Sequence, residues 1–101
     1  MINSITVTEL AALTENKNDF QLIDVREPEE HEEFNIGGLL IPLGEIVRQA
    51  EKIATDKPVI FYCRKGIRSQ IAIQRLQEKY PFTNLINLIG GTEAWKTQFS
   101  V

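Results

Sequence analysis

Pro58-Val59-Ile60-Phe61-Tyr62 is an uninterrupted apolar and aromatic run, and it leads straight into Cys63-Arg64-Lys65-Gly66-Ile67-Arg68-Ser69. A strand with one wet face alternates apolar and polar side chains, whereas one covered on both faces does not. The run is therefore read as the central, most buried strand of a parallel sheet, with the polar loop at its carboxyl end. Downstream, Ile71, Ala72 and Leu76, joined by Ile67 and the stem of Arg75, fall along one face of a helix that Tyr80-Pro81 terminates. Leu85-Ile86-Asn87-Leu88 supplies a further strand, and Gly90-Gly91-Thr92 punctuates the start of a final helix running through Trp95.

Upstream the same alternation repeats. Ile5 and Val7 mark a short first strand, with Thr8 as N-cap of a helix over Glu9-Leu10-Ala11-Ala12-Leu13. Phe20-Gln21-Leu22-Ile23 reads as a second strand ending at Asp24, and Glu27-Pro28-Glu29-Glu30 opens a short helix with proline at its first position. Leu39-Leu40-Ile41 is a third strand, broken by Pro42. Ile46, Val47, Ala50 and Ile53 then share one face at helical spacing and predict a third helix.

Strands alternating with helices imply an α/β fold: a mostly parallel sheet of about five strands with helices on both faces. In such sheets sites lie at the carboxyl ends of the strands, where Cys63 falls. At 101 residues the chain has the size of one domain. With 43% hydrophobic and 25% charged residues it has the composition of an ordinary globular protein. The net charge of -3, with Lys and Arg scattered along the chain, leaves no electrostatic footprint for nucleic acid. The acidic cluster from Glu27 to Glu33 reads as a solvated helix face, and the one histidine, His31, as exposed within it. Met1-Ile2-Asn3-Ser4 has neither the basic nor the apolar region of an export signal. No apolar run approaches the roughly 20 residues of a membrane span. A cytoplasmic location is expected, without membrane or nucleic-acid partners. A single cysteine cannot form an intramolecular disulfide, and its free thiol persists best in a reducing compartment.

The loop carries the chemistry. A thiolate, not a thiol, is the nucleophile, so a reactive cysteine needs surroundings that lower its pKa. If residues 64–69 wrap around the sulfur, their amides form an anion-binding nest, which Gly66 closes by adopting positive φ and Ser69 completes as N-cap of the following helix. Arg64, Lys65 and Arg68 place three cations within six residues and are expected to draw an anionic donor, unless they are simply solvated. Cys63 itself is either such a nucleophile or a buried, inert thiol.

Ile23-Asp24-Val25-Arg26-Glu27, Ile41-Pro42-Leu43, the Cys63 loop and Gly90-Gly91-Thr92-Glu93-Ala94-Trp95 together resemble the successive landmarks of the rhodanese-like domain family, over residues 1–101. The resemblance implies a thiosulfate sulfurtransferase-type enzyme. In it Cys63 bears a persulfide whose outer sulfur is cradled by Arg64, Lys65, Gly66, Ile67, Arg68 and Ser69. It implies double displacement: the sulfur comes from a small anionic donor such as thiosulfate, or from another persulfide, and leaves for a thiol, cyanide or protein acceptor. Preorganised N–H dipoles, rather than a general base, are expected to carry both steps. It further implies that Asp24 supports the loop and that Arg26 ties neighbouring segments by ion pairing, against the simpler reading of Arg26 as a surface salt bridge. Trp95 either lines the site mouth or packs the core. No cofactor or metal is expected, and the chain is expected to act as a monomer. Many relatives carry a histidine in a Gly-His-Ile stretch before the third strand; this chain reads Phe34-Asn35-Ile36-Gly37-Gly38-Leu39 there, which removes any role for that side chain.

Other classes compete. A Cys-dependent phosphatase or arsenate reductase uses a Cys-x5-Arg loop, but here the fifth residue after Cys63 is Arg68 and the sixth is Ser69, a loop sized for one sulfur atom. A non-catalytic binding module of the same family is usually marked by loss of the cysteine, which is present. A Cys-His hydrolase lacks a histidine placed to reach Cys63.

Overall fold

The computed structural model describes residues 2–99; Met1, part of the stretch read for an export signal, lies outside them. The elements follow one another as β1 (Asn3–Ile5), α1 (Val7–Glu15), β2 (Gln21–Asp24), α2 (Pro28–Glu33), β3 (Leu39–Leu40), two 3-10 turns (Leu43–Glu45 and Ala50–Lys52), β4 (Val59–Tyr62), α3 (Ile67–Lys79), β5 (Leu85–Leu88) and α4 (Gly91–Phe99). The five strands form one sheet in the order β1-β5-β4-β2-β3, and every pairing is parallel. The α/β expectation holds.

The central run sits where its composition demands. All four residues of β4 are 0% exposed. They alternate between two cores: Val59 and Phe61 pack with Ala72, Ile73 and Leu76 of α3 and with Ile46 and Ile53, whereas Ile60 and Tyr62 pack with Val7 and Leu10 of α1 and with Ala94 and Trp95 of α4. Both faces of the strand are thus buried, which removes the alternation an edge strand would show. Among the described residues, no helix is long and apolar enough to cross a membrane.

Three local expectations are corrected. Val7 opens α1 rather than ending β1, and Thr6, not Thr8, is the N-cap: its hydroxyl accepts from the Glu9 amide while the Glu9 carboxylate accepts from the Thr6 amide. That reciprocal box outcompetes a cap two residues later, which would leave the Glu9 carboxylate unused. The apolar spacing of Ile46, Val47, Ala50 and Ile53 does not build an α-helix. The segment is a chain of turns, with Gln49 departing from helical backbone at φ -104°, ψ 26°. Its far end is held from outside: the Gln21 amide donates to the Lys52 carbonyl at 2.8 Å and its oxygen accepts from the Ala54 amide at 2.8 Å. The apolar side chains still reach the core, so the packing is satisfied without a continuous helix. Finally, Ile67 is 64% exposed; the buried face of α3 is Ser69, Ala72, Ile73 and Leu76.

Candidate active site

Cys63 follows β4 directly, and the chain then folds back around its sulfur. The thiol is 1% exposed. The Gly66 amide donates to Cys63 Sγ at 3.1 Å and the Ser69 amide at 3.4 Å. Gly66 makes the wrap possible with φ +97°, a left-handed conformation that a side chain rarely adopts, and a Cβ there would lie 3.2 Å from the Gly90 amide nitrogen. It is also the N-cap of α3. Ser69 therefore does not cap the helix, as its position in the sequence suggested; it lies in the first turn with its hydroxyl turned inward.

That hydroxyl lies 3.5 Å from Cys63 Sγ and hydrogen-bonds to Asn87 Oδ1 on β5. Burial pushes the Cys63 thiol up, but the Ser69 hydroxyl and the amides of Ser69, Gly66 and Lys65 outweigh it and hold the pKa below its ordinary value. A hydroxyl has one proton, and Asn87 Oδ1 competes for it, so the backbone amides are the constant donors. Asn87 was not anticipated: its place in an apolar strand reads as ordinary alternation.

The carbonyls of the loop are held away from the sulfur by α4. The Thr92 amide donates to the Cys63 carbonyl at 2.9 Å and the Glu93 amide to the Arg64 carbonyl at 3.0 Å. Gly91 permits this approach, because a Cβ at that position would sit 2.1 Å from the Cys63 oxygen. The two glycines anticipated as punctuation thus anchor the loop. Trp95, half-buried, packs against the cluster that holds Ile60 and Tyr62 and, at 4.5 Å between ring centroids, against Phe99.

The loop's cations are not free as a group. Arg68 forms a two-pronged pair with Glu30, Nη1 to Oε1 at 2.7 Å and Nη2 to Oε2 at 2.9 Å. Arg68 holds the Glu30 carboxyl down to about 2. Arg64 pairs with Glu93 at 2.9 Å, and Lys65 is exposed with no ion-pair partner among the described residues. Each arginine of the loop thus has a carboxylate partner from another element: Glu30 lies 38 residues from Arg68 in sequence, and Glu93 29 from Arg64.

Asp24 and Arg26 are both buried, so Arg26 is no surface salt bridge. Arg26 donates Nε and Nη2 to the two Asp24 oxygens at 2.9 and 2.8 Å, and Nη2 also to the Phe34 carbonyl at 2.5 Å. Burial pushes Asp24 up, yet the hydrogen bonds from Arg26 and His31 hold it below the usual carboxylate range. His31 Nδ1 lies 2.8 Å from Asp24 Oδ2, and since an ionised carboxylate has no proton to give, Nδ1 donates. This corrects the exposed reading of His31: the helix turns its ring inward, and it is half-buried. Asp24 holds His31 in the last turn of α2 directly and, through Arg26, the Phe34 carbonyl that follows the helix, and α2 presents Glu30 to Arg68.

A cleft of about 320 Å³ opens beside the loop, between Arg26, Glu30, Glu33 and Phe34 on one side and Arg64, Glu93 and Lys96 on the other. A second, apolar cleft of about 410 Å³ lies between Ala50 and Thr55 and the turn Tyr80 to Asn84, at the end of the sheet remote from Cys63. Among the described residues, no group of three or more His, Cys, Asp or Glu is arranged to hold a metal ion.

Comparison with known proteins agrees with this fold. The family model of the rhodanese-like domain matches residues 6–98. The chain is 46% identical over 76 residues to the uncharacterised protein YqhL of Bacillus subtilis, covering 74% of this chain and 60% of that protein; it thus spans about three fifths of that relative's length. It is 38% identical over 81 residues to the thiosulfate sulfurtransferase GlpE of Coxiella burnetii, covering 79% and 75% of the two chains. The human single-domain sulfurtransferase TSTD1 superposes with a TM-score of 0.84 at 26% identity, covering 99% of this chain and 100% of the other.

Proposed function

Since the chain belongs to the family of rhodanese-like domains, we propose that residues 1–101 form one such domain and act as a sulfurtransferase through a persulfide on Cys63. The observation that carries this reading is the set of amides aimed at Cys63 Sγ, from Gly66 at 3.1 Å and Ser69 at 3.4 Å. The name of GlpE supports thiosulfate as a donor for this chain too.

In the first step the Cys63 thiolate attacks the outer sulfur of thiosulfate; the new S–S bond forms as the old one breaks, and sulfite departs with the electron pair. Three negative charges enter and three leave, so no proton has to move. In the second step a nucleophilic acceptor, a thiolate or cyanide, takes the outer sulfur and the Cys63 thiolate is regenerated. Negative charge on sulfur persists throughout, and fixed N–H dipoles stabilise it without reorganising. Gly66 and Ser69 hold that charge through their amides, with Lys65 and Ile67 contributing backbone to the ring. Lys65, exposed and without an ion-pair partner among the described residues, adds an ammonium that favours approach of an anion. Arg64 and Arg68 shape the loop through Glu93 and Glu30, and Asp24 and Arg26 secure α2 behind it.

A reduced, unpaired thiol suits a reducing compartment such as the cytoplasm, and a monomer suffices for this chemistry because every group named comes from one chain. Sulfurtransferase and phosphatase activities measured side by side on the purified protein test the reading. Transfer from thiosulfate to cyanide with no release of phosphate from an aryl phosphate is the expected result. Phosphate release without sulfur transfer overturns it.

A further inference from the structure

Asn87 is a polar side chain buried beneath the Cys63 loop, in a strand whose other residues are apolar. It is 2% exposed and pairs in register with Phe61 of β4, so it lies on the face of the sheet that Phe61 and Cys63 share. Its Oδ1 accepts from the Ser69 hydroxyl, and its Nδ2 is turned toward Gly66, 3.8 Å from where a Cβ on that residue would stand. Ser69 is fully buried, and among the described residues the hydrogen bonds of its hydroxyl run to Asn87 Oδ1 and to Cys63 Sγ, 3.5 Å away. The hydroxyl has one proton, so a proton given to Oδ1 is withheld from the sulfur. Its oxygen lone pairs then face Sγ, where they accept from a thiol S–H but repel the charge of a thiolate. Asn87 thus acts through Ser69 against the pull of the Gly66 and Ser69 amides. A thiolate held less tightly is the better nucleophile, because nucleophilicity falls as the thiol becomes more acidic.

We propose that Asn87 is a positioning residue for the attack of Cys63 on its sulfur donor: it draws the Ser69 proton to its own oxygen and so limits how far the hydroxyl quiets the thiolate. The inference rests on the persulfide reading for its purpose. The other charged groups near the loop are already engaged or exposed. Glu30 of α2 first, and Cys63 after it, hold the Arg68 guanidinium of α3 above its ordinary value. Arg64 is paired with Glu93 of α4, Asp24 of β2 with Arg26, and Lys65 is exposed. None of them is hydrogen-bonded to Asn87 among the described residues, so a change at position 87 reaches the sulfur through the hydroxyl.

The test follows alkylation by iodoacetamide across pH in the wild type, Asn87→Leu, Ser69→Ala and the double variant; with one cysteine in the chain, the reaction reads Cys63 alone. Leucine keeps the branched shape of asparagine without its acceptor. Asn87→Leu is expected to lower the half-point by about 0.5 to 1 pH unit, because the freed proton turns to Sγ. The rate on the high-pH plateau is expected to fall with it, about two- to threefold. Neither change is expected when Asn87→Leu is added to Ser69→Ala, which has no proton to redirect. A half-point that stays or rises, or a shift that persists without the hydroxyl, overturns the inference. Asn87→Ala carries the same expectation where leucine disturbs the fold. Loss of the folded state in both variants makes Asn87 a structural residue and overturns the inference too. Sulfur loading of the wild type by thiosulfate, read by mass, is independent of these profiles: without loading the persulfide reading falls, whereas the alkylation series judges Asn87 alone.

Discussion

Gly91 lies against the carbonyl of Cys63 so closely that a Cβ at position 91 would stand 2.1 Å from that oxygen. The contact lets the first turn of α4 take up the loop carbonyls, and so leaves the loop amides for the sulfur. Gly91→Ala is expected to displace α4 from the loop, lowering stability by about 1 to 3 kcal/mol and reducing sulfur transfer. Denaturant unfolding and a thiosulfate–cyanide assay check both effects. Unchanged stability with full transfer would show that the approach is not needed.

The thiol's environment sets a pH profile. Because the amides and the Ser69 hydroxyl hold Cys63 below its ordinary pKa of 9.0, alkylation by iodoacetamide should rise with pH through a half-point below 9.0. The same depression contributes stability that is fully present above the unfolded value and is lost as pH falls through the folded one. A half-point above 9.0 would mean that burial outweighs the hydrogen bonds.

Glu30 provides a second pH signature with the usual carboxylate sign. Its folded pKa of about 2 lies below the ordinary 4.5, so the stabilisation is complete above 4.5 and is lost as pH falls toward 2. Both partners of the pair are about one-third exposed, which limits its worth to about 1 kcal/mol. Unfolding measured between pH 6 and 3 should show the wild type losing more stability than Glu30→Gln. Parallel curves for the two proteins would remove the pair from the stability account.

Asp24 stands at the other limit of burial. Asp24→Ala leaves the buried Arg26 guanidinium without its carboxylate and should cost about 3 to 5 kcal/mol. A loss below 1 kcal/mol in chemical denaturation would show that water or the Phe34 carbonyl suffices for Arg26.

Particular residues show which parts of this architecture are legible in the sequence. The Val59 to Tyr62 run announces a doubly covered strand because burial on both faces leaves its mark in composition, and glycine followed by a helical pattern announces the turn at Gly66. The turns of residues 46–53 are not legible. Their apolar spacing matches a helix, while the decisive contacts come from Gln21, some thirty residues earlier in the chain. In the candidate site the positions of Arg64 and Arg68 are plain but their neutralisation is not, since Glu93 and Glu30 approach through the fold. His31 shows the same limit: an acidic helix segment reads as solvated, and only the packing of α2 onto β2 turns one ring toward Asp24. Asn87 carried no signal beyond a polar residue in a strand, although it takes part in fixing the Ser69 hydroxyl.

The central claim is that Cys63 holds one sulfur atom, and intact-mass spectrometry after incubation with excess thiosulfate reads this directly. The account predicts a gain of about 32 Da that cyanide removes and that Cys63→Ser never acquires. An unchanged mass for the wild type, or the same gain in Cys63→Ser, would contradict it.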